Sequence, residues 1–321
     1  MKRVFTAICL FASAFALSEP ASAQPIWPNK PIKLIVPYAA GGYTDIVGRI
    51  TARYLEKEFG YPAIIENRAG AGGIVGTDVV SKSDPDGYTL CVCSIGAISV
   101  APVVQAVQYD PLKDLTPIAM VSTITQMVIV KNALPVHSMK DLVAYAKANP
   151  DKLSYASSGA GGLMYFSAEL FQMRTGTKLV HVPFRGGAPA TMAVVSGDVD
   201  LTFTNLTDAL PQVQGNTVRS LAVTSLERSP FAPDVPTIAE TVQPGFNVAT
   251  WNAIMGPRNM PDAITQRIAA VLDKMGTDSE VKSGMEKVGA TLIYVGPNDF
   301  RKAIIQEIEQ WRALLKEDTP K

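Results

Sequence analysis

The sequence predicts an α/β protein with largely parallel sheets and two domains, and three observations carry that expectation. Short apolar runs alternate with amphipathic segments almost throughout, the order that lays helices against a sheet. A chain of 321 residues is long for a single core, so two domains are expected. Glycine-rich turns also recur where an apolar run ends and an amphipathic one begins, as in PYAAGGYTD at residues 37–45.

Residues 1–23 read as a cleaved export signal. Lys2 and Arg3 precede the apolar run VFTAICLFASAFAL, and Ala21-Ser22-Ala23 offers a small-residue cleavage site. Cys9 lies inside that run and not at its end, which argues against a lipid anchor, and the run is too short to span a bilayer. The mature chain is expected to start near Gln24 and to be exported and soluble. Without Lys2, Arg3 and Glu19 it holds 27 basic and 28 acidic residues. That balance, with no basic stripe, excludes nucleic acid and anionic membrane as expected partners.

The expected strands, in order, are KLIVPY, AIIEN, TLCVCS, MVIVKN, LSYAS, VHVPF, VDLTFTN, SLAVTS and WNAIMGP. Helices are expected after Asp45, Gly73, Ser138, Gly162, Pro189, Pro261 and Pro297. Ser138 with Asp141 resembles a capping box, and Leu142, Tyr145 and Ala146 mark that helix's buried face. Phe300, Ile304, Ile308, Trp311 and Leu315 recur at helical spacing in the last helix, a core stripe. Cys91 and Cys93 sit two apart on a strand, and are expected to be small buried residues without a bridge. SKSDPDGYTL reads as a tight turn, and SPFAPDVPTIAE as an extended surface connection.

Four glycine turns start helices: residues 39–45, 67–74, 157–162 and 184–187. Each sets unpaired N–H groups at the positive end of a helix, where an anion is stabilised without a charged side chain. Nucleotide motifs are missing: Val75 and Met164 stand where a G-x-G-x-x-G pattern needs its last glycine, and no Walker lysine exists. His137 and His181 are the only histidines, and neither has a second candidate ligand nearby in sequence. Asp198 and Asp200 share one face of a strand start, which a turn leading into a strand explains as well as a paired-acid site does. No elbow serine or metal-binding helix motif occurs, so the turns read as a binding device without catalysis, cofactor or metal.

VPYAAGGYTDIVGR, ENRAGAGGIVG, DPDGYTL, SSGAGGLMYFSAELF, HVPFRGG and LAVTSLERSPFAPDVPTIAE, in that order, resemble the periplasmic solute receptors of tripartite tricarboxylate transporters, the Bug-type receptors. The resemblance runs from about Pro28 to the C-terminal helix. It implies a type II periplasmic-binding-protein fold, two α/β lobes joined by two crossings near residues 122–127 and 224–230 and closing on ligand. Lobe 1 would comprise residues 24–124 plus 228–321, and lobe 2 residues 125–227.

The resemblance further implies a monomer that holds a small organic carboxylate (dicarboxylate, tricarboxylate, amino acid or aromatic acid) and hands it to membrane permease subunits. A sensor subunit signalling to a membrane histidine kinase is the alternative. Carried over from the family, the ligand residues are Tyr38, Ala39, Gly42 and Asp45 in one lobe, with Ser157, Gly159, Ala160 and Gly161 in the other. Gly72, Gly73, Ser94, Thr204 and Asn205 stand behind them. Three positions depart from the family's pattern. Gly162-Leu163-Met164-Tyr165 replaces Ser-x-x-His, Tyr43 replaces a small residue at the ligand turn, and Gly48 stands before Arg49 where alanine is common.

Overall fold

The computed structural model describes residues 27–317, so the expected signal segment and Cys9 lie outside the described residues. The elements run β1 (Ile32–Val36), α1 (Tyr43–Phe59), β2 (Ala63–Asn67), α2 (Ile74–Ser81), β3 (Thr89–Ser94), α3 (Ala101–Val104), β4 (Leu115–Lys131) and α4 (Met139–Ala148). There follow β5 (Ser154–Ser157), α5 (Leu163–Thr175), β6 (Val180–Pro183), α6 (Gly187–Ser196), β7 (Leu201–Asn205), α7 (Leu206–Gln214) and β8 (Val218–Val223). The chain ends with α8 (Ile238–Thr241), β9 (Ala249–Pro257), α9 (Asp262–Gly276), α10 (Ser279–Glu286), β10 (Thr291–Val295) and α11 (Pro297–Glu317).

The strands order as β2-β1-β3-β9-β4-β7-β5-β6, with β8 and β10 also paired to β4. Pairing is parallel in β1–β2, β1–β3, β5–β6 and β5–β7, where a helix returns the chain over the sheet. It is antiparallel wherever β4 or β9 takes part. The expectation of largely parallel sheets therefore holds only for the two outer parts. The middle, built on β4 and β9, is antiparallel.

β4 is the longest strand, and MVIVKN is only its last third. Leu115–Thr125 pair with β9, while Gln126–Val130 pair with β7. The polar joint between these stretches is tightly tied. Thr224 Oγ1 donates to the Val248 carbonyl at 2.6 Å and accepts from the Gln126 N–H at 3.1 Å. Ser225 N–H donates to Thr125 Oγ1 at 3.1 Å. Every group here is buried or half-buried, so each bond also prevents a desolvated polar atom.

Local chemistry explains the helix starts. Ser138 Oγ caps α4 by accepting from Asp141 N–H at 3.1 Å, and the Asp141 carboxylate accepts from His137 N–H at 3.0 Å. Gly48 lets α1 lie close over the sheet, since a Cβ there would meet Val36 at 3.1 Å and Val92 at 3.3 Å. Phe300, Ile304 and Ile308 of α11 are buried, and Trp311 packs edge-on against Phe166 with ring centroids 4.9 Å apart. α6 starts at Gly187, three residues earlier than expected, because proline is tolerated in a first turn and does not mark its beginning. Elements α3, α7, α8, α10 and β10 were not foreseen, and the stretch expected to be an extended surface connection ends in α8, capped by Thr237, with Thr237 and Ile238 buried. α7 contains Pro211, and β10 is a half-buried strand lacking a clean alternation.

One expectation is corrected. Cys91 and Cys93 are joined as a disulfide, with Cα atoms 5.2 Å apart. Two strand steps would separate them by about 6.6 Å, and the shorter span falls within the reach of a bridge. Both side chains share the buried face, as strand geometry requires, which places the two sulfurs side by side.

Candidate functional site

Between the two outer parts of the sheet lies a small cavity of about 30 Å³. The β1–α1 turn contributes Tyr38, Gly42, Tyr43 and Thr44, and β3 contributes Ser94 at its end. Gln126 enters from the joint in β4 and Thr250 from β9. Ser158, Leu163 and Met164 surround the start of α5, Gly187 begins α6, and Asn205 and Asp208 begin α7. Four helices thus start at one small space. Their N-cap residues Gly42, Gly162, Gly186 and Asn205 make no side-chain capping bond. First-turn N–H groups without a capping side chain are the donors that an anion satisfies.

Among the residues expected from sequence, Tyr38, Gly42, Tyr43, Ser94 and Asn205 line this cavity. Tyr38 Oη donates to the Gly72 carbonyl at 2.8 Å and shares a 2.7 Å bond with Ser94 Oγ. Burial pushes its phenol up to about 12, partly offset by Ser94. Tyr43 Oη bonds Ser122 Oγ at 2.8 Å, and burial raises that phenol too. Both remain neutral donors near neutral pH.

The remaining expected residues serve the walls. Asp45 accepts from Gly41 N–H, Arg49 Nε and Asn67 Nδ2, each at 2.9 Å. Burial raises its carboxyl, but the bonds from Arg49, Gly41 and Asn67 together hold it below the ordinary aspartate value. Ala39 N–H donates to the Arg185 carbonyl at 2.9 Å. Ser157 Oγ bonds His181 Nε2 at 2.6 Å and accepts from Gly159 N–H at 3.0 Å, while Thr204 Oγ1 accepts from Thr191. Ala160 is exposed, and its carbonyl accepts from Gln105 Nε2.

Glycines 72, 73, 159 and 161 solve a packing problem. A Cβ on Gly72 would lie 2.3 Å from Gly162 N, and one on Gly159 would lie 2.7 Å from Gly72 N. One on Gly73 would meet Tyr38 Oη at 2.6 Å, and one on Gly161 would meet Gln105 Nε2 at 2.1 Å. The second and third glycine turns therefore press backbone against backbone across the cavity's rim. Asp198 and Asp200 form no paired-acid site either. Asp200 accepts from Ser154 and pairs with Lys131 at 2.7 Å, while Asp198 accepts from Ser196.

Sequence reasoning missed five polar residues that line the cavity, Thr44, Gln126, Ser158, Asp208 and Thr250, of which Gln126 and Asp208 carry unpartnered buried atoms. Gln126 is fully buried, and its Oε1 accepts from Ser167 Oγ, which leaves Nε2 without a partner. Asp208 is 8% exposed, and its Oδ2 has no partner. Burial pushes the Asp208 carboxyl up to about 7, against the pull of a hydrogen bond from Tyr43 N–H. A Cβ on Gly187 would sit 2.4 Å from Oδ2, so glycine there makes room for the carboxylate. The sequence did hold a signal for Asp208, an acid three residues past Asn205 where a strand ends. Gln126 lies mid-strand and offered none. A larger open groove of about 450 Å³ between α1 and α10 holds no unpartnered buried polar atom.

Two α/β lobes that share β4, whose first stretch pairs with β9 and whose last pairs with β7, and helix N-termini facing the cleft define a solute-binding protein of the type II periplasmic fold. A model of the tripartite tricarboxylate transporter family receptor matches residues 47–319, and the chain belongs to that family of solute receptors. Protein BugT of Bordetella pertussis is 33% identical over 322 residues, covering 99% of this chain and 98% of its own. The structure of R. palustris Rpa4515 with adipate superposes with a TM-score of 0.87 at 31% identity, covering 91% of this chain and 98% of that one. MatC from Rhodopseudomonas palustris with bound malate gives 0.86 at 29% identity, covering 90% and 99%.

Proposed function

We propose that this receptor works in the periplasm, captures a small organic carboxylate in the cleft and delivers it to the membrane permease of its transporter. It does so as a monomer, without catalysis, cofactor or metal. The observation that carries this reading is the convergence of four helix N-termini, none capped by its own N-cap side chain, on one cavity that no lysine, arginine or histidine lines. Such a site neutralises an anion with backbone dipoles alone. The carboxylates named with two relatives, adipate and malate, support the ligand class. The export-type segment at residues 1–23 supports the compartment.

The lobes in this reading are residues 24–124 plus 228–321, and residues 125–227. The change of partners on β4 between Thr125 and Gln126, and the bonds of Thr224 beside it, support those crossings. A cavity of about 30 Å³ holds little beyond ordered water, so the lobes part to admit a ligand and close on it. Ligand binding favours the closed arrangement because only there do both lobes' donors reach one anion.

A thermal-shift screen of dicarboxylates, tricarboxylates, amino acids and aromatic acids tests the proposal. A ligand at 100 times its Kd adds about 2.7 kcal/mol of stability. Stabilisation by sugars or divalent metals, with none by any carboxylate, would overturn it. Turnover of a bound acid would show an enzyme instead.

A further inference from the structure

Asp208 gives the cavity a polarity that the glycine turns do not foretell. Its Oδ2 is a buried acceptor without a partner, and Gln126 Nε2 is a buried donor without one. The Gln126 amide oxygen bonds Ser167 Oγ, which leaves Nε2 without a partner. At α5, Leu163 and Met164 bring an uncapped first turn to the same space. The cavity therefore presents an unpartnered donor, at Gln126, and an unpartnered acceptor, at Asp208.

We propose that Asp208 sets the class of acid this receptor takes: one carboxylate at one end and an ammonium group at the other, with dicarboxylates disfavoured. The proposal rests on the carboxylate reading above and adds what must face that carboxylate's far end. A second carboxylate placed against Asp208 would bring two like charges together out of water. No lysine, arginine or histidine lines the cavity to relieve them. An ammonium there satisfies Oδ2 and balances the charge of the aspartate.

The charges around Asp208 leave it without another counter-ion. The elements packed against α7 include α6, β4, β7 and β8, whose charged residues are Lys131 and Arg219, and the α10–β10 turn, where Thr207 Oγ1 donates to the Val288 carbonyl beside an exposed Lys287. Lys131 pairs with Asp200, and Arg219 donates to the Leu134 and Val136 carbonyls. From α1, Tyr43 offers its N–H, and Asp45 is engaged by Arg49. Because burial raises Asp208 to about 7, its ionised form gains population as pH rises through neutrality. Affinity for an amino acid should then increase from pH 6 to pH 8. Affinity for a dicarboxylate should decrease over the same range, since only the protonated acid can donate to it.

Titration calorimetry on the purified protein tests this with glycine, β-alanine and 4-aminobutyrate against malonate, succinate and glutarate, in which a carboxylate replaces the amine. At pH 8 the best amino acid should bind at least tenfold tighter than the best dicarboxylate. Asp208→Asn should bring the two within threefold and flatten both pH profiles, with Asp208→Ser as a second variant should the first fold poorly. A dicarboxylate binding tightest to wild type, or an order of preference unchanged in both folded variants, would overturn the role of Asp208 and leave the carboxylate reading standing. Binding of ethylamine, with no acid of either series bound, would overturn both.

Discussion

Substituting Gly72 with alanine tests whether the glycine turns serve closure. Gly72 has φ of +66° and is buried at the rim of the cleft. A Cβ there would lie 2.3 Å from Gly162 N and 2.8 Å from Gly161 C and Gly162 Cα, all backbone atoms of the opposite lobe. Ordinary contact begins near 3.4 Å, so the lobes must stand about 1 Å further apart. Overpacking of this kind costs about 1–3 kcal/mol, and parting the lobes relieves it. The cost therefore falls on the closed state alone, and ligand affinity should drop about 5–150-fold. The positive φ adds about 1 kcal/mol of strain in both states, which lowers Tm without changing affinity. Gly176→Ala separates the two effects, because Gly176 has φ of +65° and nothing within 4 Å of its added Cβ. It should lose stability and bind normally. Calorimetry with the tightest ligand from the screen, with small-angle scattering to follow closure, supplies the readout. A folded Gly72→Ala protein that binds and compacts like wild type would refute the reasoning.

Three further outcomes follow from the geometry. Asp45→Ala removes the acceptor of Gly41, Arg49 and Asn67 and should cost about 1–3 kcal/mol by urea unfolding at pH 7. Because Asp45 is held below its ordinary value of about 3.9, its contribution is present above that value and lost as pH falls through the lower folded one. The gap between wild type and variant should accordingly close in acid. Thr224→Val leaves the Val248 carbonyl and Gln126 N–H without their partner in the buried joint, and should lower stability by about 1–3 kcal/mol in the same assay. Tyr43→Phe breaks the bond to Ser122 and should cost about 1 kcal/mol, with affinity kept within threefold because the phenol is spent on the wall. A tenfold loss of affinity would show instead that the hydroxyl reaches the ligand.

Much of the fold is written in local pattern. AIIEN and TLCVCS, and the helices at Gly73, Ser138 and Gly162, are strands and helices that neighbouring residues specify through alternation, capping and glycine turns. The turn at residues 37–45 was legible for the same reason, since a strand, two glycines and a helix start are consecutive in the chain. What it faces was not. Asp208 is more than 160 residues from Gly42, yet it lies 3.5 Å from where a Gly42 Cβ would stand. No local rule relates the two positions.

The sequence by itself determined an α/β chain whose helix N-termini suit an anion, because helix dipoles and glycine φ angles are properties of adjacent residues. The tertiary structure alone decided which glycines meet the cavity and which, such as Gly72 and Gly159, serve backbone contact between lobes. It alone set β4 as one strand serving both lobes, which brings Gln126 to the cavity's edge. It also decided that Asp208 is buried without a counter-ion, which raises its carboxyl and gives the cleft an accepting pole. Burial depends on what the opposite lobe places overhead, and that is fixed only when distant segments pack.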